Sequence, residues 1–164
     1  MGIFQITLLV ATLLCSLVAG FLFAFAVVFM PGTATLGDRE FLRAFQVADR
    51  VIQNNQPVFL VVWMGSVVAL LASAVLGFGQ LDGVGRAILV ASAVVYIVGV
   101  QVPTVTINVP LNNKVQTLQI DTMDETALET ARQEFEPRWV RWNGIRTVLA
   151  TLVTLALLVL LLRI

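Results

Sequence analysis

From Met1 to Gly37 the chain carries no charged residue, and a further sixteen uncharged residues lie between Arg146 and Arg163. Uncharged apolar runs of this length leave few solutions. A backbone in hydrocarbon must satisfy its own hydrogen bonds, and apolar runs of this length read as membrane helices, which do so within one segment. Two more such runs lie between them, giving spans at about residues 3–30, 57–77, 87–107 and 144–162. Composition agrees, since 59% of the residues are hydrophobic and only 12% charged, about half the usual charged share of a soluble domain. The expected fold is all-α, a single integral membrane four-helix bundle. The first run has no basic n-region and exceeds a signal-peptide core, so it is expected to be a retained span.

Composition also excludes function classes. The net charge is zero, which speaks against a nucleic-acid partner. The chain has no histidine, so histidine-ligated metals and histidine acid–base chemistry are excluded. The one cysteine, Cys15, cannot form an intramolecular disulfide and reads as a small packing residue. No cofactor is expected.

The connections between spans carry more pattern than the spans. Phe41, Phe45, Ala48 and Ile52 share one face of an amphipathic helix that caps the bundle or lies in the interface. It closes on Gln53-Asn54-Asn55-Gln56-Pro57. That run reads as a helix C-cap and turn, or as a set of amides of which at least one, such as Asn54, faces a site. Pro31-Gly32 is expected to end the first span, in which Ser16, Ala19, Gly20 and Ala24 form a small-residue packing stripe. Pro103 predicts a kink in the third span, freeing the carbonyl of Gly99 near Gln101 and Thr104. Asn108 and Asn112 flank Pro110 at the end of that span. Thr122 and Glu125 read as a capping box for a second amphipathic helix through Leu128, Ala131 and Phe135. Pro137 then reads as the first turn of a new helix entering the fourth span. Pro31 to Pro57 and Pro110 to Pro137 bracket similar segments, 26 and 27 residues apart. They suggest a parallel pseudo-repeat.

Both amphipathic connections then lie at one end, with eight of the ten basic residues: Arg39, Arg43, Arg50, Lys114, Arg132, Arg138, Arg141 and Arg146. The positive-inside tendency puts that end in the cytoplasm, and the expected location is a bacterial inner (plasma) membrane.

The stretch Glu134–Thr147, E-F-E-P-R-W-V-R-W-N-G-I-R-T, draws the site hypothesis. A helix from Arg146 to Arg163 is only ~25 Å long against a ~30 Å hydrocarbon core. Arg163 can snorkel outward near the C-terminus, whereas Arg146 is expected to face inward. An ionisable group turned to a membrane interior is a functional candidate. Trp139, Asn143 and Arg146 fall at i, i+4 and i+7 on one face. An indole plane, an amide and a fixed cation suit a planar aromatic ligand with a carbonyl or phenolate oxygen. Interfacial anchoring alone explains Trp139, Trp142, Arg138 and Arg141, but it explains the deeper Asn143 and Arg146 poorly.

V-F-M-P-G at 28–32, N-x-P-L-N-N at 108–113 and R-W-x-x-W-N-x-I-R-T at 138–147 resemble the anthrone oxygenase-like family of small membrane proteins. The resemblance runs through the whole chain in order. It implies four membrane helices and, from fungal members, oxidation of an anthrone to an anthraquinone by molecular oxygen without a recognised cofactor. The positions it carries over are Pro31, Asn108, Pro110, Asn112, Trp139, Trp142, Asn143 and Arg146. On this reading Arg146, Asn143 and Asn108 stabilise a substrate enolate, and Trp139, Trp142, Asn112, Tyr96 and Asn54 bind substrate. The base is open, with Asp49 or Glu136 at the mouth, an ionised Tyr96, or water as the choices. Expected partners are membrane lipid and a hydrophobic aromatic small molecule, and a homo-oligomer is compatible with the sequence. The competing class is a non-enzyme: a lipid- or quinone-binding protein, or a scaffold whose Asn/Arg cluster is internal glue.

Overall fold

Four helices long and apolar enough to cross a membrane make up most of the computed structural model, which describes residues 2–164. They are α1 Ile3–Thr33, α3 Pro57–Gly77, α4 Gly83–Gln116 and α5 Glu125–Arg163. The amphipathic α2, Asp38–Gln53, lies between the first two. Among the described residues there is no strand. The chain is an all-helical integral membrane bundle.

Three of the boundaries differ from expectation. α1 continues through Pro31 to Thr33, and α4 runs through both Pro103 and Pro110 to Gln116. The reason is common to all three prolines. Wide π-turns occupy Phe25–Phe29, Val95–Gln101 and Thr104–Asn108, and each ends two residues before a proline. The residue just ahead of each proline donates five positions back: Met30 to Phe25, Val102 to Ile97, Val109 to Thr104. The extra residue in the turn makes room for the ring, which would otherwise strike the carbonyl of the preceding turn.

The third difference is α5. Pro137 does not open a helix. It lies inside one that begins at Glu125, and the N-cap is Asp124, whose carboxylate accepts the Ala127 N–H at 2.8 Å, rather than Thr122. Glu136 stays helical although a following proline disfavours that state. Side chains around the joint hold it there. Arg132 donates to the carbonyls of Ala34 and Leu36 and pairs with Asp38 and Glu136. Arg39 donates to the carbonyls of Ile120 and Met123. Pro137 itself is exposed, so the carbonyl it leaves free one turn earlier, on exposed Gln133, can be hydrated. By contrast, Pro57 does start a helix. Asn54 caps α2, Asn55 adopts a left-handed φ of 57°, and Gln56 is extended with ψ 115°.

Packing divides into two layers. The membrane layer joins α1, α3, α4 and α5 through Phe4, Leu8, Cys15, Leu22, Leu70, Leu89, Tyr96 and Leu157. Of the small-residue stripe, Ala19 joins this contact and Ser16 is half-buried, whereas Gly20 and Ala24 are exposed. The head layer packs α2 on α5 through Phe41, Phe45, Leu128, Phe135 and Trp139. The site lies where the two layers meet.

Candidate functional site

α5 delivers three side chains inward at the layer boundary, on one face as its periodicity requires. Trp139, Asn143 and Arg146 are all buried, and Arg146 is 3% exposed. Its Nη1 donates to Thr104 Oγ1 at 2.8 Å and its Nη2 to Asn143 Oδ1 at 3.0 Å, while Nε has no partner. None of the ion pairs among the described residues includes it. A buried guanidinium with only neutral partners is costly to desolvate and favours an incoming negative charge.

α4 supplies the facing polar wall. Asn108 donates a long 3.4 Å bond to the Trp139 carbonyl and leaves Oδ1 unpartnered. Asn112 accepts from Trp139 Nε1 at 2.7 Å and donates to Asp49 Oδ1 at 2.7 Å. The two asparagines therefore reach Trp139, and it is Thr104, one turn deeper, that meets Arg146. Asn143 donates to the Leu22 carbonyl at 3.1 Å, just before the wide turn of α1.

Asp49 comes from α2 and is 3% exposed. Three amides hold it: Asn112 on Oδ1, and Gln116 and Gln53 on Oδ2 at 2.9 and 3.2 Å. No cation pairs with it among the described residues. Three N–H donors hold the carboxylate in place and occupy only part of its acceptor capacity. Of the bases considered, Glu136 is engaged with Arg132 at 2.6 Å. Tyr96 is fully buried in the membrane layer, with its hydroxyl 2.7 Å from Ser66 Oγ. Asp49 is the carboxylate that reaches the site.

These groups surround a cavity of about 280 Å³, near the lower limit for small-molecule sites. Its polar lining is Asp49, Thr104, Asn108, Asn112, Asn143 and Arg146, so one anion and one cation face the same space. Its aromatic lining is Phe21, Phe25, Phe45, Phe59, Trp63 and Trp139. Phe59 and Trp63 are stacked with centroids 5.3 Å apart, and Trp139 meets Phe25 and Phe45 at 5.7 and 5.4 Å.

Three residues expected at the site are not part of this wall. Trp142 is half-buried and turned aside, because three residues place it about 60° around the helix from Trp139. Tyr96 belongs to the core below. Asn54 is exposed at the end of α2, where it serves as a C-cap. Of the amides beside it, Gln53 contributes, through Asp49. The aromatic wall from α1 and α3 leaves little mark on the sequence. Its only trace is a four-residue spacing, Phe21–Phe25 and Phe59–Trp63.

A family model described as anthrone oxygenase matches residues 51–156. This chain belongs to the anthrone oxygenase family. No curated protein and no solved structure matches it. The part of the chain matched to the anthrone oxygenase family holds Trp63, Thr104, Asn108, Asn112, Trp139, Asn143 and Arg146. Asp49 and the α1 aromatics lie ahead of it.

Proposed function

We propose that the protein is a cofactor-independent oxygenase acting on a planar, enolisable aromatic such as an anthrone. The observation that carries this is the pairing, across one aromatic cavity, of a buried cation lacking a counter-charge with a buried carboxylate lacking a cation. Binding stacks the substrate against Trp139 or Phe59–Trp63 and directs its carbonyl oxygen to Arg146.

Asp49 takes the proton from the methylene carbon opposite the carbonyl. The electron pair moves through the ring to oxygen, and the enolate charge rests on Arg146, with the Asn108 and Asn143 amides beside it. Molecular oxygen accepts electrons from the enolate and bonds to the former methylene carbon, giving a hydroperoxide. Loss of the remaining hydrogen on that carbon as a proton breaks the O–O bond. One oxygen stays as the new carbonyl, and the other leaves as hydroxide and is protonated to water. Substrate plus O₂ gives quinone plus water, with all electrons drawn from the substrate.

The basic excess at the cavity end supports a cytoplasmic site in a bacterial inner membrane, with membrane lipid and the aromatic molecule as partners. The test is oxygen uptake and anthraquinone formation when anthrone is added to purified protein in nanodiscs. One O₂ consumed per quinone, at a rate proportional to protein, is expected. A rate equal to that of heat-inactivated protein would overturn the enzyme reading. Saturable binding of anthraquinone without oxygen uptake would leave a binding protein in its place.

A further inference from the structure

The cavity's opening says where its ligand comes from. The lining residues most open to the surroundings are Val105 at 65%, Met64 at 58% and Val109 at 38%. All three are apolar, and every charged lining residue is buried. Met64 lies seven residues into α3, roughly 10 Å from its start at Pro57. Val105 lies nine residues before Lys114 on α4, roughly 13 Å by the same rise. The opening is therefore below the polar ends of both helices, at the depth of acyl chains.

The helices around it leave a gap. α3 packs on α4 along Gly83–Val94, the Ser66–Tyr96 hydrogen bond continues the contact, and past Gln101 the two helices part. A bond from Trp63 Nε1 to Gln101 Oε1, 2.9 Å, closes the base of this gap. Towards water the cavity is roofed by α2, whose Phe45 is 1% exposed and packed on Phe135 and Trp139.

We propose that the gap between α3 and α4 is a lateral portal through which a membrane-dissolved planar aromatic enters and leaves the cavity. The ligand class follows from the mouth. A charged or strongly polar molecule would have to cross hydrocarbon and an apolar sill to arrive, whereas an uncharged polycyclic ketone partitions there already. The stacked Phe59–Trp63 pair forms one flank of the passage and offers a ring face to a molecule sliding in edgewise. The carbonyl end then meets Asn108 and Arg146. The inference rests on the reading of the cavity as an aromatic-ligand site, and its test separates the two.

Met64 and Val105 are replaced together by phenylalanine, M64F/V105F, which adds bulk on an outward-facing apolar surface. L71F on the exposed face of α3 is the control. Anthraquinone binding to protein in nanodiscs is followed by stopped-flow quenching of tryptophan fluorescence. Association and release should both slow at least tenfold in M64F/V105F and stay unchanged in L71F. The single variants M64F and V105F give intermediate rates and serve if the double variant does not fold. Wild-type rates in the narrowed variants, or no saturable quenching in the unmodified protein, would overturn the portal. Slowed exchange together with absence of anthrone-dependent oxygen uptake would sink the oxygenase and keep the portal. Undiminished oxygen uptake in M64F/V105F at limiting anthrone would do the reverse.

Discussion

Tyr96 and Arg146 are both buried polar groups on the membrane helices, and the chain treats them differently. The Tyr96 hydroxyl meets Ser66 at 2.7 Å, and around it lie apolar residues of the membrane layer. Its hydrogen-bonding capacity is used inside the fold. Arg146 has two neutral acceptors, an Nε without a partner, and beside it Asn108 with an unpartnered Oδ1. A polar group satisfied internally is glue. One that stays unsatisfied beside a cavity is held ready for something else. The contrast also separates Asp49 from Glu136: the first has only amides for company, the second a guanidinium.

Arg146→Lys tests this contrast with the largest expected effect. Lysine keeps the charge but loses the planar fork that spans Thr104 and Asn143. Anthrone-dependent oxygen uptake should fall roughly 10²–10³-fold, while thermal unfolding in detergent changes little. Loss of stability with passive loss of binding would instead class Arg146 with Tyr96. Asp49→Asn comes next, since a positioned base contributes on the order of 10² or more. The expected signature is a lower turnover with anthraquinone affinity retained, measured by fluorescence quenching. Unchanged turnover would hand the proton to water. Asn108→Leu should weaken turnover by about tenfold, the worth of one hydrogen bond of ~1.4 kcal/mol. A variant whose only defect is folding yield would make Asn108 structural.

On the other side of the comparison, Tyr96→Phe should cost about 1 kcal/mol of stability and leave turnover alone, as read by thermal melts beside oxygen uptake. Reduced activity in a fully folded Tyr96→Phe protein would erase the distinction. Asn54→Ala should do least, shifting neither readout beyond a few tenths of a kcal/mol, the usual range for exposed positions.

What could be read from the chain follows the same divide. Trp139, Asn143 and Arg146 were legible because a helix crossing from polar to apolar surroundings still shows its period, and Arg146 lay too deep to snorkel. Phe59 and Trp63 were not. α3 is apolar on every side, and without a polar face periodicity cannot tell lipid from interior. Asp49 stood out as a candidate base, but its burial depends on three amides from α2 and α4 that only the fold brings together. The two proline-bracketed segments differ at their closing prolines. Asn55 and Gln56 give Pro57 a turn to start from, whereas Pro137 is kept in helix by Arg132 acting across the chain. Local rules favour a break at both; long-range contacts overruled them at one.

The wide turns of α4 have a further consequence, in helical phase. Ser92, Tyr96, Val100, Thr104 and Asn108 are all buried, at strict intervals of four, and Asn112 follows in the cavity wall. In a regular α-helix each step of four overshoots a full turn by about 40°, so five steps would swing the row by about 200°. Asn112 would then point to lipid while Ser92 faced the core. The turns at Val95–Gln101 and Thr104–Asn108 take more residues per revolution and cancel this overshoot. The row therefore runs straight down one side of α4, from a closed core at one end to a chemically open wall at the other. The prolines that accompany those turns act as phase markers, holding an asparagine and a threonine in azimuth with a tyrosine two and three turns away.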